Sequence, residues 1–433
     1  MTIKVKSLAN TLIISTLTNL NLNKWRKDFI VEVFCLFISI KGRINFLQLA
    51  RYGDYGEQRY RQQFEESFDF FSFNKELSIS SGSKSFAIAF DPSYISKSGK
   101  KTPGLDWFWS GCAGKAKWGI EIGGIAAIDL DNKTAFHLEA IQTPTGDDLN
   151  AENSNLLEWY AKLITDRKES LLSISPYLVA DAFFSKKTFV DKILQAKMHL
   201  ISRLRDDADL RYIYSGAPTG KKGRPKKYSG KIVFGQIDYS YFELLEHDGK
   251  ENFYCAIVYS KALKRNIKLV IMETLTDKQK LVRKLYFGTD LVMQGMDIYN
   301  YYHNRFQIEF LYRDGKQHTG LTDCQARDTR KLHFHFNSSL TAINIAKVAH
   351  WITEPKETRG AFSMDNIKTM YHNTLLLNRF FDVFAVSPNS IKNPNAVKEL
   401  INFGKIAARK FIKINSACKI CRVKYCFIIS WLL

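Results

Sequence analysis

Four functional side chains spaced at helical intervals constrain this chain more than any other feature. They are Tyr302, Arg305, Glu309 and Lys316. On an α-helix that turns ~100° per residue, all four fall within an arc of about 60°. A carboxylate can hold a metal ion and the cations can bind phosphates, so this stripe suits a polyphosphate substrate. The alternative is a solvated helix face with i,i+4 pairs such as Arg305 with Glu309.

The composition indicates a folded, basic protein of two or three domains. The 433 residues are 45% hydrophobic and 13% aromatic, and 63 basic against 43 acidic residues give a net charge of +20. Such a charge favours a polyanionic partner, and its spread along the chain favours DNA over a membrane surface. No apolar stretch reaches the ~20 residues of a membrane span, and no signal peptide is visible. We therefore expect a cytoplasmic protein without membrane contact.

Hydrophobic periodicity divides the chain into five segments. The short helices of the first segment are compatible with either a helix-turn-helix-like DNA reader or a plain helical bundle. Helical periodicity over Val292–Arg313 predicts the helix that carries the stripe. The predicted segments are an N-terminal helical domain at 1–80, the first part of a catalytic core at 81–204, a β-rich insertion at 205–290, the second part of the core with the active-site helix at 291–385, and a basic C-terminal region at 386–433.

Two apolar runs that end in aspartate are the best further candidates for an acidic site. Phe86–Phe90 leads into Asp91, and Tyr177–Ala180 leads into Asp181. Ligands bind at strand ends in open α/β sheets. Together with Glu309, these aspartates would form a hard oxygen site for Mg²⁺ or Mn²⁺. Taken singly, each aspartate is equally explained as a helix cap or a turn residue.

At this point the chain resembles the DDE transposases, and within them the bacterial insertion-sequence enzymes that carry a Y-R-E-K signature. The resemblance covers about residues 25–385. It rests on Asp91, Asp181 and Glu309 in the Tyr302-Arg305-Glu309-Lys316 frame, and on the segments Lys41–Arg51, Gly223–Lys227 and Arg313–Leu321. It implies an α/β fold with a ribonuclease-H-like core: a mixed five-stranded sheet with helices on both faces, an N-terminal helical domain, and the β-rich insertion between Asp181 and Glu309.

The same resemblance implies the activity and the role of each residue. It implies cut-and-paste movement of a DNA element with two Mg²⁺ ions, for which Mn²⁺ can substitute. Asp91 would bridge both ions, and Asp181 and Glu309 would hold one each. Arg305 and Lys316 would grip phosphates, and Tyr302 would contact the backbone of the same DNA end. The implied partners are double-stranded element ends and target DNA, bound by a homodimer at the bacterial nucleoid.

A basic loop inside the insertion is a second candidate DNA contact. Arg224, Lys226 and Lys227 would bind phosphates without sequence preference, and the alternative is a solvated turn. Two departures from the family pattern matter. Residues 182–308 contain no tryptophan to stack on a flipped base, and Gly315 before Lys316 is a candidate helix end.

Two other functions compete with the active transposase. One is a catalytically inactive DNA-binding regulator or inhibitor derived from a transposase, and the other is a nuclease of similar fold without strand transfer. The apolar C-terminal end matches no family feature, so we expect an altered terminus that could inactivate this copy. Cys418, Cys421 and Cys426 lie there without a fourth ligand nearby, which argues against a structural zinc site.

Overall fold

The computed structural model describes residues 8–217, 225–247, 250–276, 280–357, 359–386 and 394–406. Five helices come first in the described chain, and strands and further helices follow. The helices are α1 (Leu8–Leu17), α2 (Lys24–Ser39), α3 (Phe46–Tyr52), α4 (Glu57–Gln63), α5 (Phe70–Ser81), α6 (Gly146–Ala151), α7 (Leu156–Thr165), α8 (Lys168–Leu172), α9 (Lys187–Gln195), α10 (Gly295–Asn304), α11 (Gln307–Gln317), α12 (Thr329–Thr353), α13 (Met364–Val383) and α14 (Pro394–Asn402). The strands are β1 (Phe86–Ser96), β2 (Asp106–Ser110), β3 (Lys115–Asp129), β4 (Thr134–Gln142), β5 (Tyr177–Val179), β6 (His199–Leu204), β7 (Leu210–Ile213), β8 (Tyr228–Lys231), β9 (Glu243–His247), β10 (Glu251–Ser260), β11 (Arg265–Leu275) and β12 (Leu281–Gly288).

One mixed 12-stranded sheet organises the fold, in the order β2-β3-β1-β5-β6-β12-β11-β10-β7-β8, with β4 beside β3 and β9 beside β10. β1 is antiparallel to β3 and parallel to β5, which is parallel to β6. β12 pairs with β6, so the strands of residues 205–290 continue the sheet. The mixed α/β class is confirmed, and the strands of residues 205–290 belong to the same sheet as those before them. The five-stranded ribonuclease-H-like core stays a prediction.

The N-terminal helices pack directly against the long helix α12. Phe37 of α2 contacts His335 with ring centroids 5.1 Å apart, and Phe64 lies 4.4 Å from Phe334. Burial lowers the pKa of His335 to about 4, so this ring is neutral at pH 7. Among the described residues, no helix combines the length and the apolar character that crossing a bilayer requires.

Side chains from α12 complete the hydrogen bonding of β4, which pairs with β3 along one side only. The Oδ1 of Asn337 accepts from the Ala140 amide (2.8 Å), and its Nδ2 donates to the Ala140 carbonyl (2.9 Å). Asn344 makes the same pair of bonds with the amide and carbonyl of His137, at 2.9 and 2.8 Å. These amides replace the missing neighbouring strand, since buried backbone groups must be hydrogen-bonded. They also fix α12 against the sheet.

Replacing Asn337 with leucine should destabilise the protein by about 3 kcal/mol, because both backbone groups of Ala140 would stay buried without a partner. Urea unfolding followed by circular dichroism measures this change. Asn150→Leu on the exposed side of α6 is the matched control and should cost little. Equal midpoints for the two variants would show that the Asn337 amide contributes nothing to stability.

Candidate active site

Asp91 on β1 lies level with Asp181, which follows the end of the neighbouring strand β5. β1 and β5 are parallel with Ala89 opposite Val179, and each aspartate follows two residues later. Neighbouring strands are ~4.8 Å apart, so the two aspartates lie side by side in the sheet. Asp181 also caps the following 3₁₀ turn by accepting from the Phe183 amide at 2.8 Å. Asp91 does not end its strand as the sequence predicted, because β1 continues along β3 to Ser96.

The predicted stripe crosses a junction between two helices. α10 ends at Asn304 and α11 begins at Gln307, so a single helix over Val292–Arg313 was wrong. At the junction the Ile308 amide bonds to the Arg305 carbonyl at 3.1 Å, an i→i−3 bond of a tighter turn. Tyr302 therefore belongs to α10 and Arg305 to the junction. Glu309 lies on α11, seven residues before Lys316 and on the same face.

Arg305 links two of the three candidate carboxylates. Its Nη1 lies 3.4 Å from Asp91 Oδ1, and its Nη2 lies 3.1 Å from Glu309 Oε1. The arginine side chain is only 13% exposed, and its Nε is buried without a hydrogen-bond partner. The Tyr302 ring lies beside it, with the guanidinium carbon 5.7 Å from the ring centroid. The Arg305 guanidinium thus lies between the Asp91 and Glu309 carboxylates, and its Nε–H donates no hydrogen bond.

The electrostatics show that the three carboxylates share one environment. Burial raises the pKa of Asp91 to about 7; Arg305 opposes this, and Glu309 and Asp181 add to it. Burial likewise raises the pKa of Glu309, with Arg305 opposing and Asp181 adding. Carboxylates that lie close together favour the binding of a cation. That cation can be a metal ion or, as here, an arginine side chain.

Lys316 lies two turns along α11 from Glu309, and its charge interacts with that of Asp91. Burial lowers the pKa of this half-buried amine, and Cys112 and Asp91 oppose the shift. The prediction that Gly315 ends the helix was wrong, because α11 continues to Gln317. A Cβ on Gly315 would lie 3.0 Å from the Leu340 side chain, so the glycine allows α11 to pack closely on α12.

Tyr312, a residue not predicted from the sequence, connects helix α11 to strand β1. Its hydroxyl donates to the Asp91 carbonyl oxygen at 2.5 Å, and its side chain is buried. Burial raises the pKa of the phenol well above its ordinary value, so it stays protonated as a donor. The signal was available, because Tyr312 follows Glu309 by three residues and precedes Lys316 by four, on the same helix face.

Gly124 leaves the space that Tyr312 fills, and this gives a prediction. A Cβ at Gly124 would lie 2.0 Å from the tyrosine hydroxyl oxygen, so Gly124→Ala should push α11 away from β1. We expect a loss of about 1–3 kcal/mol of stability and a sharp loss of the DNA cleavage that the resemblance implies, although every carboxylate remains. Thermal unfolding and a strand-cleavage assay measure the two effects. Gly235→Ala, with no atom within 4 Å of the new Cβ, is the control. Unchanged activity in Gly124→Ala would refute the role of this contact.

The carboxylates of the site have the chemistry that a hard divalent cation requires, but two of them are bonded to Arg305. Among the described residues, no set of three or more His, Cys, Asp or Glu side chains is grouped as a metal cluster. Asp91, Asp181 and Glu309 supply the oxygen donors that Mg²⁺ prefers. Arg305 bonds two of them, so it has to release those bonds before the carboxylates can converge on an ion.

The basic loop that contains Arg224, Lys226 and Lys227 is the other predicted DNA contact. Arg224 falls outside the described residues, as do Cys418, Cys421 and Cys426. Lys226 and Lys227 are exposed beside β8, and the Lys226 amine lies 4.7 Å from the centroid of the Tyr214 ring. Their contact with DNA stays a prediction.

Comparison with known proteins finds a family model that matches part of the chain. Residues 149–345 match the family model of the transposase DDE domain. The match supports a DDE transposase. The DDE segment contains Asp181, Glu309 and the whole stripe, and Asp91 lies upstream of it on the strand beside β5.

One solved structure adds a weaker likeness. The cryo-EM structure of the piggyBac transposase synaptic complex with hairpin DNA is similar over 93% of this chain and 75% of that chain, with 13% identity and a TM-score of 0.37. No curated protein matches the sequence. A TM-score this low supports no statement about the function. The function is therefore argued from the DDE family match and the geometry of the site.

Proposed function

We propose that this protein is the transposase of a bacterial insertion sequence, of the branch with the Y-R-E-K signature. It would bind the inverted-repeat ends of its element, cut the DNA strands with Mg²⁺ and join the ends to target DNA. One observation carries the proposal: Arg305 bonds Asp91 and Glu309, and the charge of Asp181 acts on all three, in a chain whose residues 149–345 match the transposase DDE domain.

The strand order supports a ribonuclease-H-like core. Reading across the sheet, β4, β3 and β1 are antiparallel neighbours, and β1, β5 and β6 are parallel neighbours. Asp91 then lies on β1, and Asp181 lies just beyond the end of the adjacent parallel strand β5. Helix α11 would complete the site by presenting Glu309, with Tyr312 fixing its distance from β1.

Within this proposal each side chain has a chemical task. Asp91 would bridge two Mg²⁺ ions, or Mn²⁺ in their place, and Asp181 and Glu309 would hold one each. Bound ions of this kind activate a water or a 3′-hydroxyl and stabilise the leaving oxygen. Arg305 would exchange its carboxylate partners for DNA phosphates, because guanidinium groups bind phosphate strongly. Lys316 would hold a neighbouring phosphate, and Tyr302, beside Arg305, would contact the same strand.

Binding of the DNA would extend beyond the acidic site. The net charge of +20 supports a long polyanionic partner. The helices of residues 1–80 and the exposed Lys226 and Lys227 are the proposed further contacts. Since a transposase acts on two element ends, we propose a homodimer on DNA, working in the bacterial cytoplasm at the nucleoid.

A plasmid excision assay tests the proposal. The DNA flanking the gene is placed on both sides of a marker in a supercoiled donor and incubated with purified protein and Mg²⁺ or EDTA. Metal-dependent excision with joined product is the expected result. Cleavage without joined product would identify a nuclease, and specific binding without cleavage would identify an inactive DNA-binding regulator.

A further inference from the structure

One buried lysine of α13 bonds to the ends of two other helices. The Lys368 side chain is only 3% exposed. Its amine donates to the carbonyl of Phe37, 3.3 Å away in the last turn of α2, and to the carbonyl of His318, the residue that ends α11. Carbonyls at the end of a helix have no partner within the helix and carry its partial negative charge. A single amine thus satisfies the C-terminal ends of α2 and of the active-site helix α11.

The Lys368 amine has enough donors for both carbonyls in either protonation state. Burial lowers the pKa of Lys368 to about 7, and the charges of Asp323 and Asp365 oppose this shift. An ammonium group has three N–H donors and a neutral amine has two, so both forms can bond two carbonyls. The contact therefore does not depend on which form is present.

The segment that follows α11 is bonded at every second carbonyl. His335 of α12 donates to the Gly320 carbonyl at 2.7 Å through Nε2, which must carry the hydrogen because a carbonyl only accepts. The amine of Lys97, one residue after β1, donates to the carbonyls of Thr322 and Cys324 at 3.2 and 2.6 Å. The chain that leaves α11 is therefore held both by α12 and by the end of β1, a strand of the candidate active site.

The same segment connects α11 to the N-terminal helices. The Ile44 amide donates to Asp323 Oδ2 at 2.8 Å. At the end of α2, Nδ1 of His372 lies 3.1 Å from the Ser39 carbonyl oxygen. With Lys368, these bonds place the C-terminal end of α11 in one hydrogen-bonded cluster with α2 and α13.

The other end of α11 carries the candidate catalytic carboxylate. Glu309 precedes Tyr312 by three residues, ~4.5 Å along the helix, and Gln317 follows it by five, ~7.5 Å. Because Tyr312 is bonded to β1, a shift of the C-terminal end would tilt α11 about this contact. A shift of about 1 Å there would move Glu309 by ~0.6 Å, and catalytic groups have to be held to within ~0.5 Å. The position of Glu309 therefore depends on the bonds at the far end of its helix.

We propose that Lys368 is a positioning residue of the active site, which holds the C-terminal end of α11 and so keeps Glu309 in its place beside Asp91. In this role the lysine contacts neither DNA nor metal and acts only through the helix. Its effect on cleavage rests on the proposed function, whereas its effect on α11 can be measured without DNA.

The test compares two buried lysines in the full-length protein. Lys347 of α12 is 6% exposed, and its amine donates to the Ala135 carbonyl of β4 at 2.7 Å. Lys368→Met and Lys347→Met each remove a buried amine from a backbone carbonyl, so both should lower the unfolding temperature. Only Lys368→Met removes the bond to the carbonyl that ends α11. Exchange and cleavage are measured at a temperature at which both variants are folded.

Hydrogen exchange followed by mass spectrometry reports on α11 directly. Lys368→Met should speed the exchange of amides in the last turn of α11 by at least about tenfold, and Lys347→Met should leave it near the wild-type rate. Cleavage of an element end at saturating DNA should fall by about tenfold or more in Lys368→Met alone, with an unchanged dissociation constant for the DNA. A loss of rate without a loss of affinity distinguishes positioning from general destabilisation.

Wild-type exchange in α11 and wild-type cleavage by folded Lys368→Met would overturn the inference, and so would equal changes in the two variants. If the wild-type protein does not cleave DNA, the proposed function fails, and the exchange measurement still decides whether Lys368 holds α11. Should Lys368→Met not fold, Lys97→Met releases the same segment from the end of β1 and is expected to produce the same two changes.

Discussion

Glu309→Gln and Asp91→Asn should each reduce Mg²⁺-dependent DNA cleavage by on the order of 10³-fold or more while sparing DNA binding. The amide keeps the size of the side chain but loses the negative charge that holds a cation. Both variants should be at least as stable as the wild type at pH 7 without metal. Desolvation and the neighbouring carboxylates raise the pKa of Asp91 and of Glu309, so the folded protein disfavours the ionised form of each group. Cleavage of a labelled element end and thermal unfolding measure the two effects.

Glu169→Gln is the matched control for the carboxylate variants. The Glu169 side chain is 86% exposed on α8, and its amide should leave cleavage and melting unchanged. Cleavage by Glu309→Gln within tenfold of the wild-type rate would remove Glu309 from the catalytic set. The same result for Asp91→Asn would argue against the site as a whole.

Arg305→Met carries the second largest expected effect. We expect cleavage to fall by about 10²-fold, because a preorganised phosphate-binding donor is lost. Without metal, the variant should unfold at a lower temperature, because Asp91 and Glu309 lose the buried cation between them. Mg²⁺ should then raise the unfolding temperature more in the variant than in the wild type, since no guanidinium competes for the carboxylates.

Thermal unfolding with and without MgCl₂ measures this difference directly. Arg205→Met is the control, because the Arg205 side chain is 84% exposed and its ion pair with Asp207 lies at the surface. The same Mg²⁺-dependent shift in the wild type and in Arg305→Met would contradict the competition between arginine and metal. It would leave Arg305 as a phosphate-binding residue alone.

The sequence was informative where the signal is local. Asp91 and Asp181 follow short apolar runs, and these runs became the neighbouring strands β1 and β5. The spacing of Glu309 and Lys316 placed both on one face of α11. The same spacing includes Tyr312, which was not predicted because a tyrosine at such a position is usually a packing residue.

Features that depend on distant contacts could not be predicted in this way. Pro92 suggests the end of a strand, yet β1 continues because the 15-residue β3 runs beside it. No glycine or proline marks the helix junction at Arg305, where Asp91 and Glu309 hold the side chain. The pairing of β12 with β6 joins chain segments ~80 residues apart, and periodicity contains no information about partners.

The spacing of two asparagines on α12 matches the spacing of their partner residues on strand β4. Asn337 and Asn344 are seven residues apart, ~10.5 Å along a helix, and their partners Ala140 and His137 are three residues apart, ~10 Å along a strand. Sliding the helix by one residue would break all four amide bonds at once. The outer side of β4 is also closed to strand addition by another molecule. A second copy of the chain, which two DNA ends would require, must therefore assemble through a different surface.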